Sequence, residues 1–198
     1  MSQHLAAWMH DSNKPYVRIH NIYFGGMNLR SAPSKYSWWQ RLIQRASYTR
    51  FGAWLLPNTL QRLDQKVLQL TNGRKTLTQL LTGIPVVVLS TTGAKSGKSR
   101  TTPLLCNIDG DKVILYATYF GSQKHPAWYL NLRANPHVAI TANGHQQEYI
   151  AREANEAERA QYWDKATQLF AGYGVYKNRV TNRKVPIIVL EPKIPNMD

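Results

Sequence analysis

The residues best suited to chemistry stand together at Thr91-Thr92-Gly93-Ala94-Lys95-Ser96-Gly97-Lys98-Ser99-Arg100, directly after the apolar run Pro85-Val86-Val87-Val88-Leu89. Two glycines let the backbone approach a ligand and expose N–H groups. Lys95, Lys98 and Arg100 add charge, and the hydroxyls add further donors. That combination holds anions, phosphate above all. Gly97-Lys98-Ser99 matches the end of the nucleotide-binding pattern G-x-x-x-x-G-K-[ST], but that pattern requires glycine where Thr92 stands. A P-loop also opens a helix, whereas Thr101-Thr102-Pro103-Leu104-Leu105 reads as a strand. The segment is therefore an anion-holding hairpin or a merely charged one, not a nucleotide hydrolase motif.

Two further segments carry candidate site residues. In Lys124-His125-Pro126-Ala127-Trp128-Tyr129-Leu130-Asn131-Leu132, proline opens a helix whose N-terminal N–H groups and dipole favour an anion. Leu132, four residues after Trp128, reads as ordinary core. In Phe170-Ala171-Gly172-Tyr173-Gly174-Val175-Tyr176, a glycine-containing turn after a helix presents two tyrosines three apart. They can line a pocket as proton donors or ring walls, and packing against the fold explains the spacing equally well. The six histidines lack metal-ligand spacing, and no G-x-S-x-G elbow or paired carboxylates stand out, so hydrolysis and a metal centre are not expected. A chain without reactive groups of its own borrows them from a cofactor.

These segments need a scaffold. Apolar Val86–Ser90 and Thr101–Asn107 flank the glycine loop. Asp109-Gly110 turns into Lys112–Thr118, Asn143-Gly144 joins Val138–Ala142 to His145–Ala151, and Pro186–Leu190 closes the series. Helices are expected over Ala127–Arg133 and from the capping box Asn155-Glu156-Ala157-Glu158 to about Phe170. Ahead of these lie a Ser-capped helix over Ser37–Arg45, and a helix capped by Asn58 after Pro57. The second carries Leu60, Leu63, Val67 and Leu70 as its apolar stripe and stops at Gly73; Thr76–Leu81 adds a turn or two before Gly83. Adjacent hairpins with few helices indicate a small barrel, closed or split, with an α+β character, rather than a doubly wound sheet. Three stretches follow: a basic, aromatic arm over 1–53, a helical lead-in over 54–84, and a barrel domain over 85–198.

Composition narrows the partners. The chain has 198 residues, 43% of them hydrophobic, and a formal net charge of +14. Residues 1–84 hold eleven Lys/Arg against two acids and four of the six tryptophans. A basic, Trp-rich stretch suits nucleic acid, an anionic membrane surface or an acidic ligand tail, yet no nucleic-acid-binding module is recognisable and none is expected. No apolar run approaches the roughly 20 residues of a membrane span. The N-terminus lacks the pattern of a secretory signal. Cys106, the single cysteine, reads as core filler and suits a reducing cytoplasm. A cytoplasmic protein is expected, with peripheral contact on the inner membrane face an open reading.

The order Leu-x-Thr-Thr-Gly-x-Lys-Ser-Gly-x-x-Arg, Asp109-Gly110, Lys-x-Pro-x-Trp-Tyr-Leu-Asn-Leu, Ala134-Asn135-Pro136, Tyr-x-x-Tyr, Thr181-x-Arg183 and Leu190-Glu191-Pro192 resembles the deazaflavin-dependent nitroreductases, also described as F420-dependent quinone reductases. The resemblance spans residues 85–192 and implies a split β-barrel that binds coenzyme F420. It further implies that Lys95, Ser96 and Arg100 hold the coenzyme phosphate, with Thr101, Thr102, Pro103, Leu104 and Leu105 running beside it. By the same resemblance Thr118, Ala127, Trp128, Tyr129, Leu130 and Asn131 would line the deazaflavin side. Tyr173 would face the substrate pocket, where it could donate a proton, with Tyr176 as a neighbouring wall. Leu105 stands where the family's nitroreductase has tyrosine, and Tyr119-Phe120 replaces a glycine-containing turn, so the acceptor is open among quinones, nitroaromatics and enones. The alternatives are a related FMN-binding split barrel and a non-catalytic carrier of a deazaflavin or lipid-like ligand.

Overall fold

The structure is a computed structural model, and it describes residues 23–24, 27–28, 37–47, 49, 63–64, 66–67, 70–71, 76–84, 86–142 and 145–193. Most of the 1–53 arm, the Asn58 cap with Leu60, the Gly73 stop and the Asn143-Gly144 turn lie outside these residues. Ahead of the barrel, the described residues include helices α1 (Trp38–Ser47) and α2 (Leu77–Thr82), with Leu63, Asp64, Lys66, Val67 and Leu70 helical between them. The body then runs β1 (Val86–Thr92), β2 (Ser99–Asp109), β3 (Lys112–Tyr116), α3 (Ala127–Ala134), β4 (His137–Ala142), β5 (His145–Glu153), α4 (Glu156–Leu169), α5 (Gly172–Arg179) and β6 (Ile187–Pro192). The six strands close an antiparallel barrel in the order β1-β2-β3-β6-β5-β4, with β4 returning to β1. The expected barrel with short helices is what the chain builds.

Strand alternation sorts the side chains. In β3, Val113 and Leu115 enter the barrel, while Ile114 and Tyr116 face outward; in β6, Ile188 and Leu190 enter, while Ile187 and Val189 face outward. The interior set joins Val87, Leu89, Ile140, Tyr149 and the α3 residues Trp128 and Leu132. The outward set meets α4 and α5 through Tyr162, Trp163, Ala166, Phe170, Tyr173 and Tyr176. Each fully enclosed Ile or Leu contributes roughly 1.5–3 kcal/mol, so these two layers hold the molecule together. Cys106 belongs to the interior, 1% exposed, and burial pushes its thiol up to about 12. It is core filler with no thiolate to offer.

Local signals explain the ends of the elements. Asn155 Oδ1 accepts the Glu158 N–H at 2.9 Å, and Glu158 returns the bond to the Asn155 N–H at 2.9 Å, a reciprocal cap for α4. Thr76 caps α2, and Gly83 stops it in the left-handed conformation at φ 71°. Two expectations fail. The stripe containing Leu63, Val67 and Leu70 does not face the core: Leu63 is 47% and Leu70 85% exposed, whereas Asp64 is 2% exposed. Asp64 is turned inward because its carboxylate accepts the Thr78 N–H at 2.9 Å and the Thr78 hydroxyl at the start of α2. The stretch around Tyr173 is not a turn but helix α5. Its three-residue spacing puts Tyr173 and Tyr176 on one buried face, and that burial overrides two glycines.

Candidate functional site

The hairpin between β1 and β2 is built around its glycines. Gly93 N–H donates to Lys98 O at 2.8 Å, and Gly97 N–H donates to Gly93 O at 2.8 Å. A Cβ on Gly93 would stand 2.7 Å from Ser96 Oγ and 3.2 Å from Lys98 O, so a larger residue would have to turn the Ser96 hydroxyl away and press on the Lys98 carbonyl. Gly97 sits at φ 64°, a conformation open to glycine at little cost. Helix α3 pins this turn from outside. Asn131 Oδ1 accepts the Ala94 N–H at 3.0 Å, and Asn131 Nδ2 donates to Thr91 Oγ1 at 3.1 Å. Lys95, Ser96, Lys98, Arg100 and Thr101 are exposed. Among the described residues, neither Lys95, Lys98 nor Arg100 enters a salt bridge. Three cations without an ion-pair partner among the described residues, on the turn and the first residues of β2, are placed where they could hold a phosphate.

From this turn β2 runs along a cavity of about 250 Å³. Residues 99–105 pair with β1 on one side only, because β3 joins β2 from Cys106 onward. Thr102–Leu105 therefore form one wall, and no strand among the described residues pairs with their outer edge. Thr118 and Tyr116 form the floor, and Pro126, Ala127 and Trp128 at the start of α3 form a second wall. Thr78 and Thr82 of α2, with Asp64, close the far side beside Tyr173 and Tyr176.

Tyr173 is 4% exposed and lies against Tyr116, 4.8 Å between ring centroids, and edge-on to Phe170 at 5.6 Å. Its hydroxyl makes no hydrogen bond among the described residues. Burial, with Tyr116, Cys106 and Tyr176 nearby, pushes the phenol well above its ordinary range. The group stays protonated at physiological pH, so it can offer its proton to a ligand but cannot act as a base. Tyr116 differs: its hydroxyl accepts from Asn107 Nδ2 at 2.7 Å and donates to Tyr162 O at 3.0 Å, so it is committed to the scaffold.

The structure divides the sequence-derived candidates. Thr102, Pro103, Leu104, Leu105, Thr118, Ala127, Trp128, Tyr173 and Tyr176 line the cavity. Lys95, Ser96, Arg100 and Thr101 form the charged lip at the turn and the start of β2. Within 127–131 the helix splits the set. Tyr129 is buried, donates to Glu153 Oε1 at 2.6 Å and stacks on His125 at 4.8 Å; Leu130 is 45% exposed; Asn131 is the pin described above. These three do not reach the cavity.

Other contributors have no local signal. Arg183 grips the loop over the floor, with its guanidinium donating to Ala117 O at 3.2 Å, Thr118 O at 3.2 Å and Ser122 O at 3.0 Å. The motif Thr181-x-Arg183 marked the residue but not its role. Asp64, Thr78 and Thr82 reach the cavity only through tertiary packing.

A cationic lip leading into an aromatic chamber on this closed barrel suits a protein whose reactive group comes from a bound coenzyme. A family model described as F420H(2)-dependent quinone reductase matches residues 59–192, and the chain belongs to that family. It is thus an F420-dependent oxidoreductase. The F420H(2)-dependent quinone reductase Rv1261c of Mycobacterium tuberculosis is 34% identical over 135 residues, covering 66% of this chain and 89% of that protein. A solved structure described as an F420-H2 dependent reductase (FDR-A) is 36% identical with TM-score 0.50, over 54% of this chain and 94% of its own. Another, described as a domain-swapped dimer, is 32% identical with TM-score 0.53, over 64% and 92%.

The residues present are compatible with the coenzyme: the exposed Lys95, Lys98 and Arg100 suit a phosphate, and the largely aromatic cavity beside β2 suits a flat ring system. Bound F420 would supply a hydride donor, and the chain would supply position and an apolar surround.

Proposed function

We propose that the chain reduces a quinone-type acceptor inside the aromatic cavity at the expense of reduced F420, with the coenzyme phosphate on the Gly93–Arg100 lip. One observation carries this reading: β2 runs continuously from the cationic turn into the cavity wall, so one ligand can span both. Lys95, Ser96 and Arg100 anchor the anionic end. Thr102–Leu105, Thr118, Ala127 and Trp128 bracket the ring system, and the unpaired β2 edge gives hydrogen-bonding groups to a flat heterocycle. Tyr173 keeps a proton ready for the reduced acceptor, with Tyr176 walling the same chamber. Shielding from water strengthens each polar contact there. Titration with F420 and FMN, followed by rapid mixing of the reduced F420 complex with menadione, tests the proposal. Micromolar or tighter F420 binding with oxidation by menadione is expected; FMN affinity alone would overturn it, and F420 binding without turnover would favour a carrier.

A peripheral membrane contact rests on a separate observation. Helix α1 leaves Trp38 74%, Trp39 40% and Leu42 55% exposed, with Arg41 and Arg45 on the same short helix. Gln44 Nε2 donates to Thr82 O at 2.8 Å, tying α1 to the cavity's α2 wall. Aromatic and basic residues together suit an anionic bilayer surface, where lipophilic quinones reside. No described helix is long and apolar enough to cross a membrane. Sedimentation with vesicles containing anionic lipid, and loss of it with neutral vesicles or with Trp38→Ala, tests the contact.

A further inference from the structure

At the cavity rim, one turn has a backbone that its residues resist. Tyr119 and Phe120 sit at φ 47° and φ 55°, the only non-glycine residues among those described in the left-handed region. For bulky side chains that region is crowded by the neighbouring carbonyl, and two in succession compound the strain. Such strain persists only where the surroundings over-determine it, and here they do. Arg183 grips the carbonyls on both sides of the turn, at Thr118 and Ser122. Gln123 Nε2 donates to Arg179 O at 2.7 Å, while Gln123 Oε1 accepts the N–H groups of Thr181 and Asn182 at 3.3 Å. Gly121 is closed in as well, since a Cβ there would stand 3.0 Å from Arg179 Cδ.

The strained pair is aimed at the cavity. Both side chains line it. Phe120 stands edge-on to Tyr176, with 6.0 Å between centroids and 66° between ring planes. Tyr119 is 41% exposed while still facing the cavity, which puts its ring at the mouth. Glycine at either position would release the backbone and lose the ring.

We infer that the Tyr119–Phe120 turn is the acceptor-selecting element: Phe120, opposed by Tyr176, admits flat aromatic or quinoid acceptors and turns away those with substituents out of the ring plane. Tyr119 narrows the entrance. The inference rests on the cavity being the acceptor chamber.

The test compares menadione, which is flat, with isophorone, an enone whose geminal methyl groups stand off the ring plane. Phe120→Gly removes the wall and the strain together; Phe120→Leu retains an apolar side chain and guards against misfolding. Both are measured for F420 affinity, for kcat/KM with each acceptor, and for acceptor binding by calorimetry without turnover. Phe120→Gly is expected to raise the isophorone-to-menadione ratio at least tenfold in both turnover and binding, with F420 affinity kept within about threefold and Phe120→Leu intermediate. Ratios within twofold of wild type in both variants would overturn the inference. Wild-type protein that binds menadione but never oxidises reduced F420 would sink the redox reading instead, and the binding ratios would still decide the wall. Wild-type protein that binds no menadione would overturn both. Tyr119→Gly supplies a second reading: its thermal midpoint is expected at or above wild type while kcat/KM for menadione falls severalfold. A lowered midpoint with unchanged menadione kinetics would make the ring merely structural.

Discussion

The lip at Gly93–Arg100 and the chamber behind it solve opposite problems with opposite means. The lip is wet, charged and made by neighbours in sequence. Its shape comes from two glycines and a pin, Asn131, that arrives from α3. The chamber is largely apolar and aromatic, and is assembled from six parts of the chain between Asp64 and Tyr176. Charge at the lip can seize an anion at long range, but exposed charge positions it only loosely. Packed rings in the chamber cannot attract from a distance, yet they hold a flat molecule in one orientation. Affinity is thus concentrated at one end and geometry at the other.

That contrast breaks first at Arg183, which serves the chamber alone. Arg183→Ala removes the guanidinium bonds to the carbonyls of Ala117, Thr118 and Ser122, leaving Thr118 O only the Gly121 N–H at 3.0 Å. Each lost charge-assisted bond costs about 1.5–3 kcal/mol, so a fall in thermal midpoint and at least a hundredfold loss of menadione reduction are expected. Arg183→Lys should restore little, because an ammonium lacks the planar fork. Next comes Tyr173→Phe, which removes only the hydroxyl proposed as proton source. A drop in kcat of roughly 10²-fold with F420 affinity retained is expected; equal turnover would leave Tyr173 as a wall alone. At the other end, Lys95→Ala and Arg100→Ala should each weaken F420 binding by about 1.5–3 kcal/mol, with the thermal midpoint unmoved. Unchanged affinity in both would undo the cradle. The smallest effect belongs to the pin. Asn131→Leu leaves every coenzyme contact proposed for the lip in place but frees the turn, and should cost about 1 kcal/mol of F420 affinity with kcat unaltered.

The same contrast governs what could be read from the sequence. The lip was legible because its chemistry is contiguous: glycines, cations and flanking strands follow one another. The strands were legible from alternation and from the Asp109-Gly110 turn, and α4 from its reciprocal cap. The chamber resisted because its decisive contacts are distant in sequence. Arg183 reaches back more than sixty residues to its carbonyls. Asp64 enters only because Thr78 offers it donors, which no apolar periodicity records. Helix α5 carries glycines that argue for a turn, and the burial of Tyr173 and Tyr176 against Tyr116 and Phe170 decides otherwise. Gly172 also meets the Phe170 ring so closely that a Cβ would fall 2.3 Å away, a packing demand invisible in composition.

The one-sided pairing of β2 has a further consequence. A barrel wall opened to admit a ligand leaves main-chain groups that a stray segment from another chain could zip onto. Two devices blunt that hazard. Pro103 brings no amide proton and is tolerated because its strand has a free margin there, while α2 and α5 roof the gap. A guest lying along the same margin would act as a missing stave, so cargo and resistance to aggregation rise together.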